Sequence, residues 1–207
     1  LAPSLVVLDK ATGEYRGEEG SGISERLMHC NWSSPSLATI NGQDLIIFGA
    51  GDGYCYAFDP VPVPDPDDPE IKILPEVWRF NCVPPQYFEK KYPHAEGPSE
   101  IIATPVVYKN RVYISIGQDP EHGEGVGNMV CIDATGKGDI TSTGAVWQYD
   151  GLHRTISTIS IDPETNLVFC ADYSGYVHCV DADTGKPYWV YDMKAHMWSS
   201  TLVGDGK

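Results

Sequence analysis

The sequence predicts an all-β chain made of repeated, short antiparallel strands. The clearest copy contains Leu167–Ala171, Tyr176–Val180 and Tyr188–Tyr191, which are rich in β-branched, aromatic and small residues. Ser174-Gly175 and Asp183–Gly185 lie between these runs and supply residues that tight turns require. Three strands joined by two turns form a meander, and so small a sheet needs neighbours to be stable.

The same pattern occurs three more times upstream. Leu5–Asp9, Tyr54–Asp59 and Met129–Asp133 each copy the strand Val177–Asp181. A tryptophan recurs in the outer strand, and a strand containing Ser or Thr precedes each meander; the tryptophans are Trp78, Trp147 and Trp189. A four-stranded unit repeated at intervals of about 45 residues is typical of a β-propeller. We therefore expect a β-propeller of four-stranded antiparallel blades, with strands A to D running outward from the axis.

The repeats indicate a single propeller domain, 1–207, whose first and last blades are incomplete. Residues 1–20 hold strands C and D of a partial blade, and whole blades cover 32–80, 101–149 and 156–191. Residues 198–207 start a further blade with its strand A. About four repeats are near the lower limit of four to eight blades for a closed ring. We expect an arc of a ring of seven or eight blades, completed by a longer parent chain or by a second copy. Because the first residue is Leu, the chain is expected to be processed or cut from a longer protein.

The charge and apolar content exclude two classes of partner. The net charge is −15 and the pI is about 4.6, so the surface repels nucleic-acid phosphates and anionic lipids. The sequence contains no run of 18 apolar residues, and no membrane span is predicted. Self-association through the incomplete blades is expected instead, because open strand edges pair readily.

The six cysteines predict structural thiols rather than a metal or haem motif. None of them forms a CxxC, CxxCH or Cys-Cys pattern. Buried free thiols are the main expectation. The alternative is one cross-strand disulfide: if Ser174-Gly175 is a two-residue turn, Cys170 faces Cys179.

Strand alternation assigns the longer loops to opposite ends of the blades. The acidic insert Pro60–Pro75 is expected to be a solvated loop, since it lacks the ligand spacing of a calcium loop. It shares its end with the insert 134–145. Loops 82–100 and 118–127 belong to the other end, which is formed by the B–C and D–A connections.

That second end is the candidate ligand or partner face. It collects five of the six histidines with neighbouring charged residues, namely His29, His94, His122, Glu124, His153, Arg154 and His196. Trp32 and Trp198 begin their A strands at the same end, close to the axis. The ordinary polarity of loops also explains such clustering, so a binding face is one of two interpretations.

The repeat Gly-Tyr-x-x-Cys-x-Asp-Ala-x-Thr-Gly-Lys-x-x-Trp, ending at Trp189, resembles the pyrroloquinoline-quinone (PQQ) repeat of quinoprotein-type β-propellers. Segments 116–127, 154–158 and 194–199 look like bacterial PQQ-like propeller proteins of planctomycete type. The resemblance implies that Trp78, Trp147 and Trp189 dock against the neighbouring blade. It also implies a periplasmic or other extracytoplasmic location.

The resemblance favours a non-catalytic protein. PQQ dehydrogenases of this superfamily use an adjacent Cys pair near the quinone, a calcium ion held by Glu, Asn and Asp, and a catalytic Asp. The Cys pair is missing here, and no calcium ligands can be matched. Non-catalytic relatives, such as an outer-membrane assembly lipoprotein, use the propeller as an interaction platform. We therefore expect a binding platform for a protein or small ligand, without cofactor, catalytic residue or metal ligand.

Two enzymatic alternatives stay open. The first is a fragment of a PQQ-dependent dehydrogenase that oxidises alcohols or sugars with PQQ and calcium. Trp32 or Trp198 would then stack on the quinone. The second is a metal-dependent enzyme that uses His94, His122 and Glu124.

Overall fold

Short strands make up nearly all regular structure in the residues that the computed structural model describes, 2–88, 99–122 and 127–207. The other elements are one four-residue helix, α1 (Pro85–Phe88), and two 3-10 turns, Ile23–Glu25 and Pro120–His122. The strands are β1 (Val6–Leu8), β2 (Tyr15–Glu19), β3 (Ser36–Ile40), β4 (Gln43–Gly49), β5 (Tyr54–Phe58), β6 (Val63–Pro64), β7 (Lys72–Leu74), β8 (Glu76–Asn81), β9 (Val106–Tyr108), β10 (Arg111–Ile116), β11 (Asn128–Asp133), β12 (Gly138–Asp139), β13 (Ala145–Tyr149), β14 (Ser160–Asp162), β15 (Leu167–Ala171), β16 (Tyr176–Asp181) and β17 (Pro187–Asp192). In these ranges no helix is long and apolar enough to cross a membrane.

The strands form four sheets, and the all-β prediction is confirmed. Sheet 1 has the order β1-β2-β7-β6, and sheet 2 the order β3-β4-β5-β8-β12. Sheets 3 and 4 are the meanders β9-β10-β11-β13 and β14-β15-β16-β17. Three buried apolar clusters join successive sheets, so the sheets form an arc that is not closed into a ring.

Each sheet carries a β-bulge at the same place in the repeat. It lies in β1, β5, β11 or β16, immediately before the aspartate at or just after the end of that strand. The register shifts occur at Val7/Leu8, Ala57/Phe58, Cys131/Ile132 and Cys179/Val180. In sheet 4, Asp181 Oδ1 then accepts hydrogen bonds from the backbone N–H and the hydroxyl of Thr184, at 2.9 and 2.8 Å. Asp9 holds Thr12 in the same way. The bulge increases the twist, and the aspartate fixes the turn.

Trp78 and Trp147 hold neighbouring sheets together. Both are buried, and their indole N–H groups donate to the carbonyls of Ala134 and Ala182 at 3.0 and 2.9 Å. Each acceptor belongs to the turn of the following sheet. In that turn Gly185 has φ +69°, and a Cβ there would lie 2.6 Å from the Trp147 ring, so only glycine fits.

The prediction that Trp189 is an equivalent docking residue is wrong for this structure. Trp189 lies at the matching position of β17, but its side chain is 46% exposed. No further sheet among the described residues covers it. Its ring packs only partly, with the Phe169 ring centroid at 5.8 Å.

Both inserts contain strands that the sequence did not predict. In the acidic insert, β6 pairs with β7, and β7 pairs in parallel with β2. In the second insert, β12 pairs in parallel with β8, where Arg79 Nε donates to Asp139 Oδ2 at 3.2 Å. The expectation of a wholly solvated loop at Pro60–Pro75 is therefore wrong. Each insert instead covers the open edge of the preceding sheet.

The proposed disulfide is also wrong. Between Asp172 and Tyr176 the turn holds three residues, not two, and the register moves by one. Cys170 pairs with His178, while Cys179 pairs with Phe169. The two thiols thus point to opposite faces of sheet 4, and all six cysteines are free.

Residues 198–203, predicted as an inner strand, form no β-ladder in the structure. They contact sheet 4 through polar side chains instead. Ser157 Oγ donates to the Ser199 carbonyl, and Ser160 Oγ donates to Thr201 Oγ1, both at 2.7 Å. A similar bond from Ser36 Oγ to the Pro105 carbonyl joins sheets 2 and 3. The segment therefore lies against sheet 4 much as neighbouring inner strands lie against each other.

Candidate functional site

A cleft of about 450 Å³ opens where the connections between the sheets meet. It is lined mainly by aromatic and apolar residues, with a histidine and a carboxylate at one side: Trp32, Trp198, Ile102, Ile156, His29 and Asp119. The indoles of Trp32 and Trp198 stay 53% and 63% exposed. Their rings are therefore accessible to a ligand.

The predicted face residues fall into three groups rather than one. His29 and His122 lie together beside Trp32, and Arg154, His196 and Trp198 surround Tyr173. His153 belongs to a separate network with Asp172. His94 and Glu124 lie outside the described residues.

The first group combines two imidazoles and a carboxylate. Nδ1 of His29 lies 3.9 Å from Asp119 Oδ2, and Nδ1 of His122 lies 4.0 Å from the same oxygen. The two rings meet edge to face with their centroids 4.4 Å apart. One potential ligand atom from each residue falls within 4.8 Å of the other two. These three side chains can converge on a single cation.

Asp119 is held by the 3-10 turn that follows it. Its Oδ1 accepts the backbone N–H of Glu121 at 2.8 Å, and its carbonyl accepts that of His122 at 3.0 Å. The sequence Asp-Pro favours such a turn because proline fits its first position. Since Oδ1 is used within the turn, Oδ2 remains directed toward the two histidines.

The loop that carries His29 is fixed to sheet 2 by a partly buried polar network. Arg26 Nε lies 3.1 Å from Asp52 Oδ2 and Arg26 Nη2 lies 2.7 Å from the Tyr56 hydroxyl. Tyr56 in turn donates to Asp52 at 2.6 Å. Asn31 accepts the N–H of Gly51 at 2.9 Å on the other side of His29. These bonds limit the movement of the loop before the cleft.

Gly127, the first described residue after His122, is packed against the connection between sheets 3 and 4. Gly127 follows the His122 loop, and a Cβ at this glycine would lie 1.6 Å from the His153 carbonyl oxygen. Only glycine allows so close a backbone contact. The loop therefore ends at a fixed point beside His153.

Glu100 is a buried carboxylate that interacts electrostatically with the cluster. Its side chain is 4% exposed, and Oε2 has no hydrogen-bond partner among the described residues. Burial raises the pKa of Glu100 to about 7; the charge of His29 lowers this pKa and that of Asp119 raises it. Its backbone pairs with Gly117, just before Asp119. Glu100 is thus electrostatically linked to two members of the cluster.

Tyr173 organises the second group. Its ring stacks on His196 at 4.8 Å and meets Trp198 edge to face at 5.2 Å. The Arg154 guanidinium lies over the same ring, 4.5 Å from its centroid. His196 Nδ1 also donates to the Tyr173 carbonyl at 2.9 Å. This packing orders Trp198 at the cleft.

The third group is a network around the buried Asp172, with a structural role. Asp172 Oδ2 lies 3.0 Å from both His153 Nδ1 and His178 Nε2, and His178 Nδ1 lies 3.0 Å from the Tyr149 hydroxyl. Burial raises the pKa of Asp172, but hydrogen bonds from His178 and from the backbones of Tyr176 and His153 outweigh it and lower this pKa. The network joins sheets 3 and 4 below the loops.

Sequence reasoning missed four residues of the site: Glu100, Asp119, Asp172 and Tyr173. The Asp-Pro step at Asp119 was the available signal, since it marks the start of a helical turn. The sequence around Glu100, Asp172 and Tyr173 contains no comparable signal. Their roles depend on contacts between sheets.

The adjacent Cys pair that the resemblance places beside the quinone has no counterpart at the cleft. Cys30 is the one cysteine at the cleft, and the other five are buried in or beside strands. The described donors at and beside the cleft are the imidazoles of His29 and His122 and the carboxylates of Asp119 and Glu121.

No protein-family model matches the sequence, and no curated protein sequence matches it. Solved structures do match. BamB from Moraxella catarrhalis is 16% identical with a TM-score of 0.57, over 89% of this chain and 44% of that chain. A quinohemoprotein alcohol dehydrogenase from Comamonas testosteroni is 17% identical with a TM-score of 0.56, over 92% of this chain and 32% of that one.

A third match is Sqt1 from Saccharomyces cerevisiae, 13% identical with a TM-score of 0.58, over 90% of this chain and 41% of that chain. At such identities the likeness shows the fold alone. The fold is of the β-propeller type, as the repeats predicted, and the PQQ-dependent dehydrogenases and BamB are among the proteins that share it. The chain spans less than half the length of each of these three proteins. The planctomycete-type resemblance stays a prediction.

Proposed function

We propose that this chain is part of a non-catalytic β-propeller that binds a protein partner in the cleft between Trp32 and Trp198. The two exposed indoles beside an apolar cleft carry this proposal. Tryptophan is enriched among the residues that dominate binding energy, and large exposed apolar patches are typical of binding sites. Ordering of Trp198 by Tyr173 reduces the entropy lost on binding.

The partner segment should carry an apolar side chain flanked by basic residues. Ile102 and Ile156 provide an apolar floor for such an anchor. Asp119 and Glu121 lie at the rim, and the whole chain has a net charge of −15. Complementary charge accelerates association and selects against acidic partners.

Nucleophilic catalysis is not favoured at this cleft. Cys30 is the thiol nearest to His29, but burial raises the pKa of Cys30, and the carboxylates of Glu100 and Asp119 raise it further. The thiolate is the reactive form, so this cysteine is poorly activated.

A PQQ-dependent dehydrogenase is the second candidate, because an alcohol dehydrogenase is among the proteins that share the fold. Titration of the chain with PQQ and calcium, followed by tryptophan fluorescence and dye-linked alcohol oxidation, separates the two functions. We expect no saturable quenching at micromolar PQQ. Stoichiometric, calcium-dependent binding with alcohol oxidation would favour the dehydrogenase.

The binding proposal is tested with peptides selected from a random displayed library on the immobilised chain. The dissociation constant of a selected peptide is then measured for Trp32→Ala, Trp198→Ala and Trp189→Ala. Trp189 is the matched control, an exposed tryptophan outside the cleft. We expect at least about tenfold weaker binding for each cleft variant, as for hot-spot residues, and unchanged binding for the control. Loss of binding in the Trp189 variant alone would contradict the proposal.

The periplasmic or extracytoplasmic location implied by the resemblance belongs to this proposal. A compartment-sensitive reporter fused to the full-length gene product tests it. Reporter activity confined to the cytoplasm would exclude that location.

A further inference from the structure

We propose that His29, Asp119 and His122 form a binding site for one divalent transition-metal ion of the zinc class. The inference goes beyond the proposed function, because metal binding needs no protein partner. It rests on three observations, which are the convergence of the ligand atoms, the type of the ligands, and a buried carboxylate beside them.

The three side chains are close to the geometry that a metal ion requires. In a tetrahedral site with bonds of about 2.0–2.1 Å, neighbouring ligand atoms are about 3.3 Å apart. Here Asp119 Oδ2 lies 3.9 Å from His29 Nδ1 and 4.0 Å from His122 Nδ1. Movements of well under 1 Å in each side chain would close these gaps. The side chains of His29 and His122 are 40% and 28% exposed, so they have room to move.

The ligand types select the class of metal. Two imidazoles with one carboxylate suit zinc and similar transition metals, whereas calcium and magnesium prefer a shell of oxygen atoms. With three protein ligands, one position remains for water or for a donor atom of a bound molecule. The site borders the cleft, since His29 and Asp119 also line it.

Glu100 provides the independent observation. A carboxylate that is 4% exposed with an unpartnered Oε2 among the described residues is costly to bury. Its charge interacts with both His29 and Asp119. A cation bound between these residues would compensate Glu100, either directly or through a bridging water. A positive charge at the cluster would offset part of the cost of burying this carboxylate.

Hydrogen bonds hold the described segments that carry the three ligands. The Arg26–Asp52–Tyr56 network holds the loop before His29, and the 3-10 turn holds Asp119 beside His122. Few side-chain rotations are therefore needed on binding. Preorganised ligands bind metals with less loss of conformational entropy.

The test is a titration of the chelator-treated, full-length chain with Zn²⁺ in competition with a chromogenic chelator, in excess Mg²⁺ and Ca²⁺. We expect one ion per chain and an increase in melting temperature on binding. Co²⁺ should give the visible absorption of a tetrahedral site. The excess Mg²⁺ and Ca²⁺ suppress nonspecific binding to the acidic surface.

Variants identify the ligands. His29→Ala, Asp119→Asn and His122→Ala should each weaken Zn²⁺ binding by more than about tenfold, since even outer partners of metal ligands contribute about 10–100-fold. Glu100→Gln, which keeps the shape but removes the charge, should weaken it by about tenfold or more. His196→Ala is the matched control and should bind as the wild type does. Circular dichroism checks that each variant is folded.

Three results would overturn the proposal. These are the absence of saturable binding at one equivalent, displacement of Zn²⁺ by Ca²⁺, and wild-type affinity in a folded His29→Ala/His122→Ala double variant. None of them depends on the peptide experiment, so the two proposals fail separately.

Discussion

Replacement of Trp147 by alanine tests how neighbouring sheets are held together. Trp147 is 8% exposed, packs against Tyr113 with their centroids 5.9 Å apart, and donates to the Ala182 carbonyl at 2.9 Å. Truncation of a buried tryptophan typically costs about 3–5 kcal/mol. The Ala182 carbonyl keeps a second hydrogen bond from the Tyr113 hydroxyl at 3.0 Å, so no buried acceptor is left unpaired. The loss of free energy should therefore come mainly from packing.

The matched control is Trp189→Ala. Trp189 occupies the equivalent position in sheet 4 but is 46% exposed, so its truncation should cost about 1–2 kcal/mol. The free energy of unfolding is measured in urea at low protein concentration, with far-ultraviolet circular dichroism. We expect Trp147→Ala to be less stable than Trp189→Ala by about 2 kcal/mol or more. Equal losses for the two variants would refute the account of docking.

Two further predictions concern the loops and the buried network. Gly127→Ala should disturb the loop that ends beside His153, because the Cβ of the new alanine would lie 1.6 Å from the His153 carbonyl oxygen. We expect faster hydrogen exchange in residues 117–122. Unchanged exchange in these residues would contradict the prediction. Asp172→Asn should lower stability at pH 7 by about 1–3 kcal/mol, because it weakens bonds to His153 and His178. The lowered pKa of Asp172 contributes stability above the unfolded value of about 3.9, which is lost as the pH falls through the folded value. The difference between wild type and variant should therefore shrink below about pH 4, and a difference independent of pH would contradict this assignment.

Local patterns in the sequence predicted the meanders well. The repeated aspartate turn and the recurring tryptophans are local signals, and the strands of sheets 2 to 4 lie close to where these signals put them. The error at Cys170 and Cys179 has a local cause too. One additional turn residue moves the register by one and reverses every side chain.

Features that depend on contacts between sheets could not be predicted. β12 contains two residues and exists because it pairs with Trp78 and Arg79 of the preceding sheet. Asp119 meets His29 across 90 positions of sequence, and the burial of Glu100 depends on the same contact between loops. The sequence placed His29, His122 and the two tryptophans at one end of the blades, but it did not indicate Asp119 and Glu100 beside them.

The most direct measurement of the proposed binding site is hydrogen–deuterium exchange with and without a selected peptide. Our account predicts protection confined to the loops around the cleft, at residues 29–32, 119–122, 154–156 and 196–198. Protection of the open edge at Tyr188–Tyr191, with no change at Trp32 or Trp198, would contradict it.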